Sequence, residues 1–509
     1  MRRVLLLERG RDFTSESLVP DYIRYCLLYS QGNANGTAIA RGETINKLVS
    51  SKDFVVFDAT GAGNRIEAPR GEVIGGSSAV NAGIYLWGTP EDYDEWAARI
   101  SPVWSYQNVA RAFARIEKDL DFLSAPHGTD GPMLVRRASR EGWDQVASDF
   151  YSACRKLGHP GVQDFNDPAT CPSGVGPLPF NIVGGERFSS AKGFLTSQVR
   201  ERPNLTIASN AEARCILFEQ GRAVGVEAKI NDEVVHFHAK EVVVCAGAIR
   251  SPQLLMLSGI GPAADLEEVG IAVRADLPGV GANLQDHPCV LLHWNSERHS
   301  SNEPLGFQLA LRTTAPDSAY RNDIQINCQT SPLDVRDGRA VVYQKRIAMV
   351  VHLYRALSSG TLRLRAGDLF GRPVLDYNYF AEPEDVRRML FGLRHAYEIA
   401  LQSPLTEWLA DTHKGLVSHD DAISHRELLD DRALTRWMRR VSASGHHVAS
   451  TCAMGPSSSR LAVVDEYCRV RGVEGLRVVD SSVFPWCVRA NTNAPTMMLA
   501  EQMATYIGA

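Results

Sequence analysis

The chain has 509 residues, of which 44% are hydrophobic and 22% charged, with a formal net charge of −5. That length buries a large core in two domains or one complex one. The slight acidity leaves no electrostatic footprint for nucleic acid, and no apolar run reaches the ~18 residues of a membrane helix. Ten cysteines are scattered without a C-x-x-C pair or metal-ligand spacing, so buried reduced thiols and no metal are expected. The opening MRRVLLLERG has a basic pair and an apolar stretch. Glu8 and Arg9 cut that stretch too short for a signal peptide, and a cytoplasmic location follows as the expectation.

Val4 to Leu7 reads as a buried parallel strand. Residues 89–120 read as helical, through PEDYDEW and then NVARAFARIEK. Between 205 and 245, TIAS, ARCILF, AVGVEAKI and VVHFHAK are short runs separated by Gln220-Gly221 and Asn231-Asp232. They read as an antiparallel meander feeding the apolar strand of VVVCAG. Residues 290–360 alternate with period 2, as in DIQINCQ and RIAMVVHLY, and predict a second sheet. Residues 384–440 are mostly helical, and the chain closes on a strand (LRVV), a loop and a terminal helix (PTMMLAEQMATYI). The predicted class is α/β with an α+β mixture: a cofactor domain assembled from separated segments, with an antiparallel-sheet domain inserted into it.

Four strings carry chemistry. Gly75-Gly76-Ser77-Ser78-Ala79-Val80-Asn81 permits close backbone approach and offers N–H and hydroxyl donors to a flat, polar-edged cofactor, although GGSS alone is equally an ordinary glycine-rich turn. The run from Gly247 to Gly261 (GAIRSPQLLMLSGIG) follows Val242–Val244, and small residues at the end of a strand leave room for a dinucleotide. The third string, Gly445 to Gly455 (GHHVASTCAMG), holds a histidine pair. The fourth is Leu476 to Pro485 (LRVVDSSVFP) with Asn491-Thr492-Asn493-Ala494-Pro495-Thr496, where Asn and Pro also suit a helix start that would favour an anion.

Together these strings resemble the signatures of the GMC (glucose–methanol–choline) oxidoreductases. The first signature runs from Pro69-Arg70-Gly71-Glu72-Val73-Ile74 through Asn81 to Tyr85-Leu86-Trp87-Gly88 and Asp92-Tyr93-Asp94, departing at Glu72, where the family usually has a basic residue. The second signature matches at every specified position of 247–261, and Asn283-Leu284-Gln285-Asp286-His287-Pro288 after it is also family-like. HGTDGPM (127–133) and Glu186-Arg187-Phe188-Ser189-Ser190-Ala191-Lys192 are weaker echoes.

The resemblance implies FAD-dependent oxidation of an alcohol to an aldehyde or ketone, by hydride transfer to flavin N5. His447 fits the family's His-x-x-x-Thr-Cys-x-Met-Gly spacing and would be the general base, with Ser450 a mild departure. His446 is one residue too early. Asn491 would hold the substrate oxygen. Glu8, Gly75, Gly76, Ser77, Asn81, Ile84, Ala213, Gly247, Asp480, Thr492 and Asn493 would contact FAD. The FAD would be non-covalent, because Val80 stands where covalently linked members have histidine. A Rossmann-type FAD-binding domain would comprise 1–88, 189–288 and 455–509, and the substrate-binding domain and cap 89–188 and 289–454. A choline dehydrogenase-like enzyme is implied, a dehydrogenase rather than an oxidase, passing electrons to a quinone, a carrier protein or oxygen. A mycofactocin-associated member is one possibility within the family. An FAD-containing cyanohydrin lyase and a shortened, non-catalytic protein are the alternatives.

A Rossmann unit is strand, G-x-G-x-x-G, helix, strand, then an acidic residue. Val4–Leu7 with Glu8 resembles the second strand and its acidic end, so the first strand, glycine loop and helix are expected upstream of Met1. Gly61-Ala62-Gly63 has no helix after it and reads as a loop. The expectation is that FAD binds this 509-residue chain more weakly than a version extended upstream.

Overall fold

The computed structural model describes residues 2–25, 51–167, 172–298, 307–330, 333–336, 339–342, 346–410, 415–418 and 421–507. It is a mixed α/β molecule, and two of its parallel strand pairs join segments far apart in the chain. Val4–Leu7 pairs with Leu205–Ala208, and Val242–Val244 with Leu476–Val478. Leu205–Ala208 is therefore not the first leg of the meander. Asn210 takes a left-handed φ of 54° and ends the run, and the Asn210 and Ala211 N–H groups go to the carbonyls of Gly10 and Glu8. The meander proper is Ala211–Glu219, Arg222–Ile230 and Glu233–His238. Its turns, Gln220-Gly221 and Asn231-Asp232, have positive φ at both positions, which matches the right-handed twist of the flanking strands.

The first strand is not buried as its composition suggested. Val4 is 51% and Leu5 40% exposed. With Val243 they line a large cavity beside the strands, so apolar side chains that would otherwise sit in a core face open space.

The second sheet has six strands in the order Ala443–Ser444, Pro288–Asn295, Arg346–Leu353, Ile324–Thr330, Leu309–Thr313, Gly174–Pro177, all antiparallel. Period-2 alternation gives its central strands two different faces. Val290, Leu292, Ile324, Ile326, Met349 and Val351 share one face and are sealed in the main core. The helix Pro383–Ala400 lies against that face, so closely that a Cβ on Gly392 would meet Val351 Cγ1 at 2.8 Å. The opposite face carries Cys289, Leu291, Gln325, Asn327, Val350 and His352, and all of these but Gln325 line the same cavity as the first strand.

Phe54–Gly61 and Asn64–Gly71 form a hairpin, and Gly61-Ala62-Gly63 lies at its turn, as the missing helix signal implied. Pro90–Arg99 begins with a capping box between Thr89 and Asp92, and Tyr106–Ile116 follows it. Between these helices and the second sheet lies a buried ionic lattice. His127 Nδ1 is 2.7 Å from Glu117, and its Nε2 is 2.9 Å from Asp164. Arg137 donates to Asp119 at 2.8 Å and to Asp164 at 2.7 Å. Glu117, Asp119 and His127 are close enough to hold a cation. Arg137 already supplies a positive charge there, and His127 a second when protonated. Among the described residues no helix is long and apolar enough to cross a membrane.

Candidate active site

The cavity has a volume of about 3130 Å³, well above the ~300–1,000 Å³ of an ordinary small-molecule pocket. One wall is the glycine–serine loop. Gly75 (φ 98°) and Gly76 (φ 53°) bring it round in a left-handed bend ahead of the short 3-10 turn Gly76–Ala79. No atom lies within 4 Å of where a Cβ on Gly76 would stand, so the backbone there faces open cavity. The loop is held from behind. Ser78 Oγ donates to the Gly75 carbonyl at 2.6 Å and lies 2.9 Å from Ser190 Oγ. The buried Arg187 donates to the Asn81 carbonyl at 2.9 Å and to that of Ala79 at 2.7 Å. The Glu-Arg-Phe-Ser-Ser echo is thus the brace of the loop. Glu72, the departure from the family pattern, faces Arg9, whose Nε lies 3.0 Å away.

The structure places Glu8, Gly75, Gly76, Ser77, Asn81, Ile84, Ala213, Gly247, Asp480, Thr492 and Asn493 around this one cavity, with His447 and Asn491. Several turn their polar groups elsewhere. Glu8 accepts from the Gly10 N–H at 2.7 Å, and burial raises its pKa above the ordinary carboxylate value. Asp480 accepts from the Gly247 N–H and Ser251 Oγ, at 2.9 and 2.5 Å, and so anchors the start of the helix Gly247–Leu257. Asn81 accepts from the Gly83 N–H at 2.9 Å, and Asn493 donates to Asn181 at 3.2 Å. Their side chains shape the wall. Gly247, with φ 81° and open space beyond its Cα, leaves backbone there to meet a ligand.

At the junction of this wall with the polar sheet face, the Asn491 Nδ2 amide donates to His447 Nε2 at 2.8 Å. Tyr354 Oη donates to Asn491 Oδ1 at 3.4 Å, in agreement with that amide orientation. His447 Nδ1 lies 3.0 Å from His287 Nδ1. With Nε2 accepting, the proton sits on Nδ1 and points at His287. Burial, with the nearby His287, His352, His446 and Arg70, holds His447 well below the ordinary histidine pKa. It is therefore neutral, with its Nε2 lone pair directed at the Asn491 amide.

Asp286 fixes this geometry, and nothing in the sequence singled it out. One of its oxygens accepts the backbone N–H groups of His287 and His447, at 2.8 and 2.7 Å. The other accepts from Tyr379 Oη at 2.6 Å and from the Ser444 hydroxyl. Four donors on one buried carboxylate lock the segment 444–447. Burial also pushes His287 down to about 3 and His352 down to about 4, so both imidazoles are neutral. His446 stands at φ 66°, and its N–H bonds Ser444 Oγ at 2.8 Å.

The GMC oxidoreductase family matches this chain over residues 25–289 with its N-terminal part and over 356–500 with its C-terminal part. The 5-(hydroxymethyl)furfural oxidase of Methylovorus sp. is 34% identical over 455 residues, spanning 86% of this chain and 82% of that protein. The oxygen-dependent choline dehydrogenase of Rhizobium johnstonii is 33% identical over 468 residues, spanning 87% and 82%. Pyridoxine 4-oxidase from Mesorbium loti superposes with a TM-score of 0.86 at 25% identity, covering 99% of this chain and 94% of that one. Aspergillus oryzae formate oxidase shares the fold at a TM-score of 0.82 and 20% identity, covering 99% and 93%. The chain belongs to the GMC oxidoreductase family, and with it to the FAD-dependent oxidoreductases that act on CH–OH groups.

Proposed function

We propose that the chain oxidises an alcohol to an aldehyde or ketone at the junction of His447 and Asn491, with FAD held non-covalently along the glycine–serine wall. The observation that carries this reading is the 2.8 Å contact between the Asn491 amide and an unprotonated His447 Nε2 at the boundary of the two cavity walls. The cavity suits the cofactor. Backbone at Gly76 and Gly247 faces open space where any Cβ would intrude, and the helix Asn493–Ile507 begins at its edge. Gly75, Gly76, Ser77 and Asn81 would hold one side and Gly247, Thr492 and Asn493 the other, with Glu8 and Ala213 at the far end. Once bound, FAD supplies an acceptor for the two electrons and one proton of a hydride.

The protein's own part is positioning and proton transfer. The Asn491 amide that now donates to His447 would donate to the substrate oxygen. His447 Nε2 would take the hydroxyl proton, and Nδ1–H would stay on His287. The pair His287–His447 keeps the base unprotonated, and Asp286 keeps it in place.

Support for an alcohol comes from the relatives, which are a 5-(hydroxymethyl)furfural oxidase, oxygen-dependent choline dehydrogenases and a pyridoxine 4-oxidase. Their names divide between oxidase and dehydrogenase, and we infer a dehydrogenase. The test is anaerobic titration of the flavin-loaded protein with a panel of alcohols, followed by reoxidation with oxygen, a quinone or a dye. Bleaching by an alcohol with formation of the carbonyl product supports the reading. A spectrum that no alcohol changes, with a cyanohydrin cleaved instead, would replace it with the lyase.

A further inference from the structure

The sheet face across from His447 is divided. Cys289, Leu291, Ala348 and Val350 form a small apolar cluster of their own, separate from the main core, with Phe307 and Ala443 against it. Beside it, the strand Ile324–Thr330 presents amides instead: Gln325, Asn327 and Gln329, which are 0%, 1% and 6% exposed. Register puts Asn327 opposite Val350 and Gln325 opposite His352, and the His352 ring centre is 6.4 Å from that of His447. A half-polar strand face in a sheet ordinarily meets water. Here it meets a cavity with His447 and Asn491 on its other side, so the amides are buried without being core.

Their hydrogen bonds are incompletely used. Gln325 Nε2 donates to Asn327 Oδ1 at 3.1 Å, which leaves the Asn327 Nδ2 hydrogens to offer. Gln325 Oε1 and His352 Nδ1 are buried without a partner. Asn327, Gln329 and His352 line the cavity. A buried polar group without a partner is destabilising; a ligand hydroxyl can donate to such an acceptor, and a ligand hydroxyl or carbonyl oxygen can accept from the Asn327 amide. Phe307 is the aromatic ring beside the apolar cluster and none of the residues named on this face is a carboxylate, so a quaternary ammonium group would find no counter-charge here.

We propose that this amide stripe selects the substrate: a neutral alcohol with a compact apolar body and a second oxygen, hydroxyl or carbonyl, that Asn327 and Gln329 bind, and not a quaternary ammonium alcohol. The inference rests on the alcohol-oxidising reading above. The apolar body lies on Leu291 and Val350, the reacting hydroxyl at Asn491 and His447, and the second oxygen at the amides. Sites that hydrogen-bond a substrate oxygen discriminate strongly against analogues lacking it, because their own polar groups are then left unpaired.

The experiment compares kcat/KM for a benzenedimethanol, benzyl alcohol and choline in the flavin-loaded wild type, Asn327→Leu and Gln329→Met. The wild type is expected to prefer the diol over benzyl alcohol by about 10-fold or more. Each substitution should shrink that ratio by about 10-fold, mainly through KM for the diol, as expected for roughly 1.4 kcal/mol of lost binding. Oxidation of benzyl alcohol by the variants shows that they are folded and loaded. Choline oxidised in preference to the diol, or a diol preference that survives both substitutions, overturns the proposal while leaving the alcohol chemistry standing. Failure of every alcohol in the wider panel to bleach the flavin removes the parent reading and this one with it; bleaching by other alcohols but by none of the three probes overturns this proposal alone.

Discussion

Replacing His447 by alanine tests the assigned base directly. The substitution removes the Nε2 atom that lies 2.8 Å from Asn491 and the Nδ1 atom that lies 3.0 Å from His287. General-base catalysis is typically worth about 10²–10⁴-fold, or roughly 3–5 kcal/mol of barrier. The two abandoned partners add a stability cost of roughly 1–3 kcal/mol each where they stay buried, so flavin content and melting temperature must be measured beside the rate. His447→Gln, which keeps an amide in the space, should lose the rate equally and the stability less. The assay is stopped-flow anaerobic reduction of the bound flavin by saturating alcohol. The control is His446→Asn, because position 446 sits at φ 66° and asparagine tolerates that conformation where alanine would be strained. Reduction by His447→Ala within about threefold of the wild type would refute the assignment, since base catalysis supplies at least about 10²-fold. Equal loss in His446→Asn would refute it as well.

Three further outcomes are expected. Burial works against the charge on His127, but hydrogen bonds to Asp164 and Glu117 outweigh it and hold the residue up at about 9. Its contribution is therefore complete below the unfolded value near 6.5 and is lost as pH rises toward 9. His127→Gln should flatten the fall in melting temperature between those pH values. The acid side has the opposite sign. His287 and His352 are depressed by burial to about 3 and about 4, so the unfolded chain binds more protons below 6.5 and stability declines with acidification, in wild type and variant alike. Arg187→Met removes the donors to the Ala79 and Asn81 carbonyls and should lower flavin content as well as melting temperature. A variant that melts earlier but stays fully loaded would show that the brace does not shape the cofactor wall. Acid precipitation should release all flavin into the supernatant, because Val80 cannot form a covalent link; yellow protein in the pellet would contradict non-covalent binding.

Much of the framework was readable because the local signals are short-range. The turns at Gln220-Gly221 and Asn231-Asp232, the helices within 89–120 and the terminal helix each depend on residues a few positions apart. His447 and Asn491 stood out through string spacing, which also brought them to one place in space. The failures are those of long-range structure. Val4–Leu7 has the composition of a buried strand, yet Val4 and Leu5 face a cavity, and no pattern within four residues reports what lies beside them. Asp480 lines the cavity, and its string does not report that its carboxylate accepts from Gly247 and Ser251, 233 and 229 residues away. Asp286 was quoted only as part of a family-like run. Its role comes from binding the N–H of His447, 161 residues away in the chain.

The strand 324–330 shows the boundary between what the sequence holds and what it does not. Its alternation of Ile324, Ile326 and Cys328 with Gln325, Asn327 and Gln329 is plain in DIQINCQ, and predicts one apolar and one polar face. Alternation alone assigns the polar face to water, because that is where unpaired amides cost nothing. The six-stranded sheet reverses the assignment. The helix Pro383–Ala400 covers the apolar face, and the walls that carry His447 and the glycine–serine loop close over the polar one, so the amides become buried groups in need of a partner. The same seven residues on an outer sheet would be solubilising; on this one they are the surface against which a substrate is chosen.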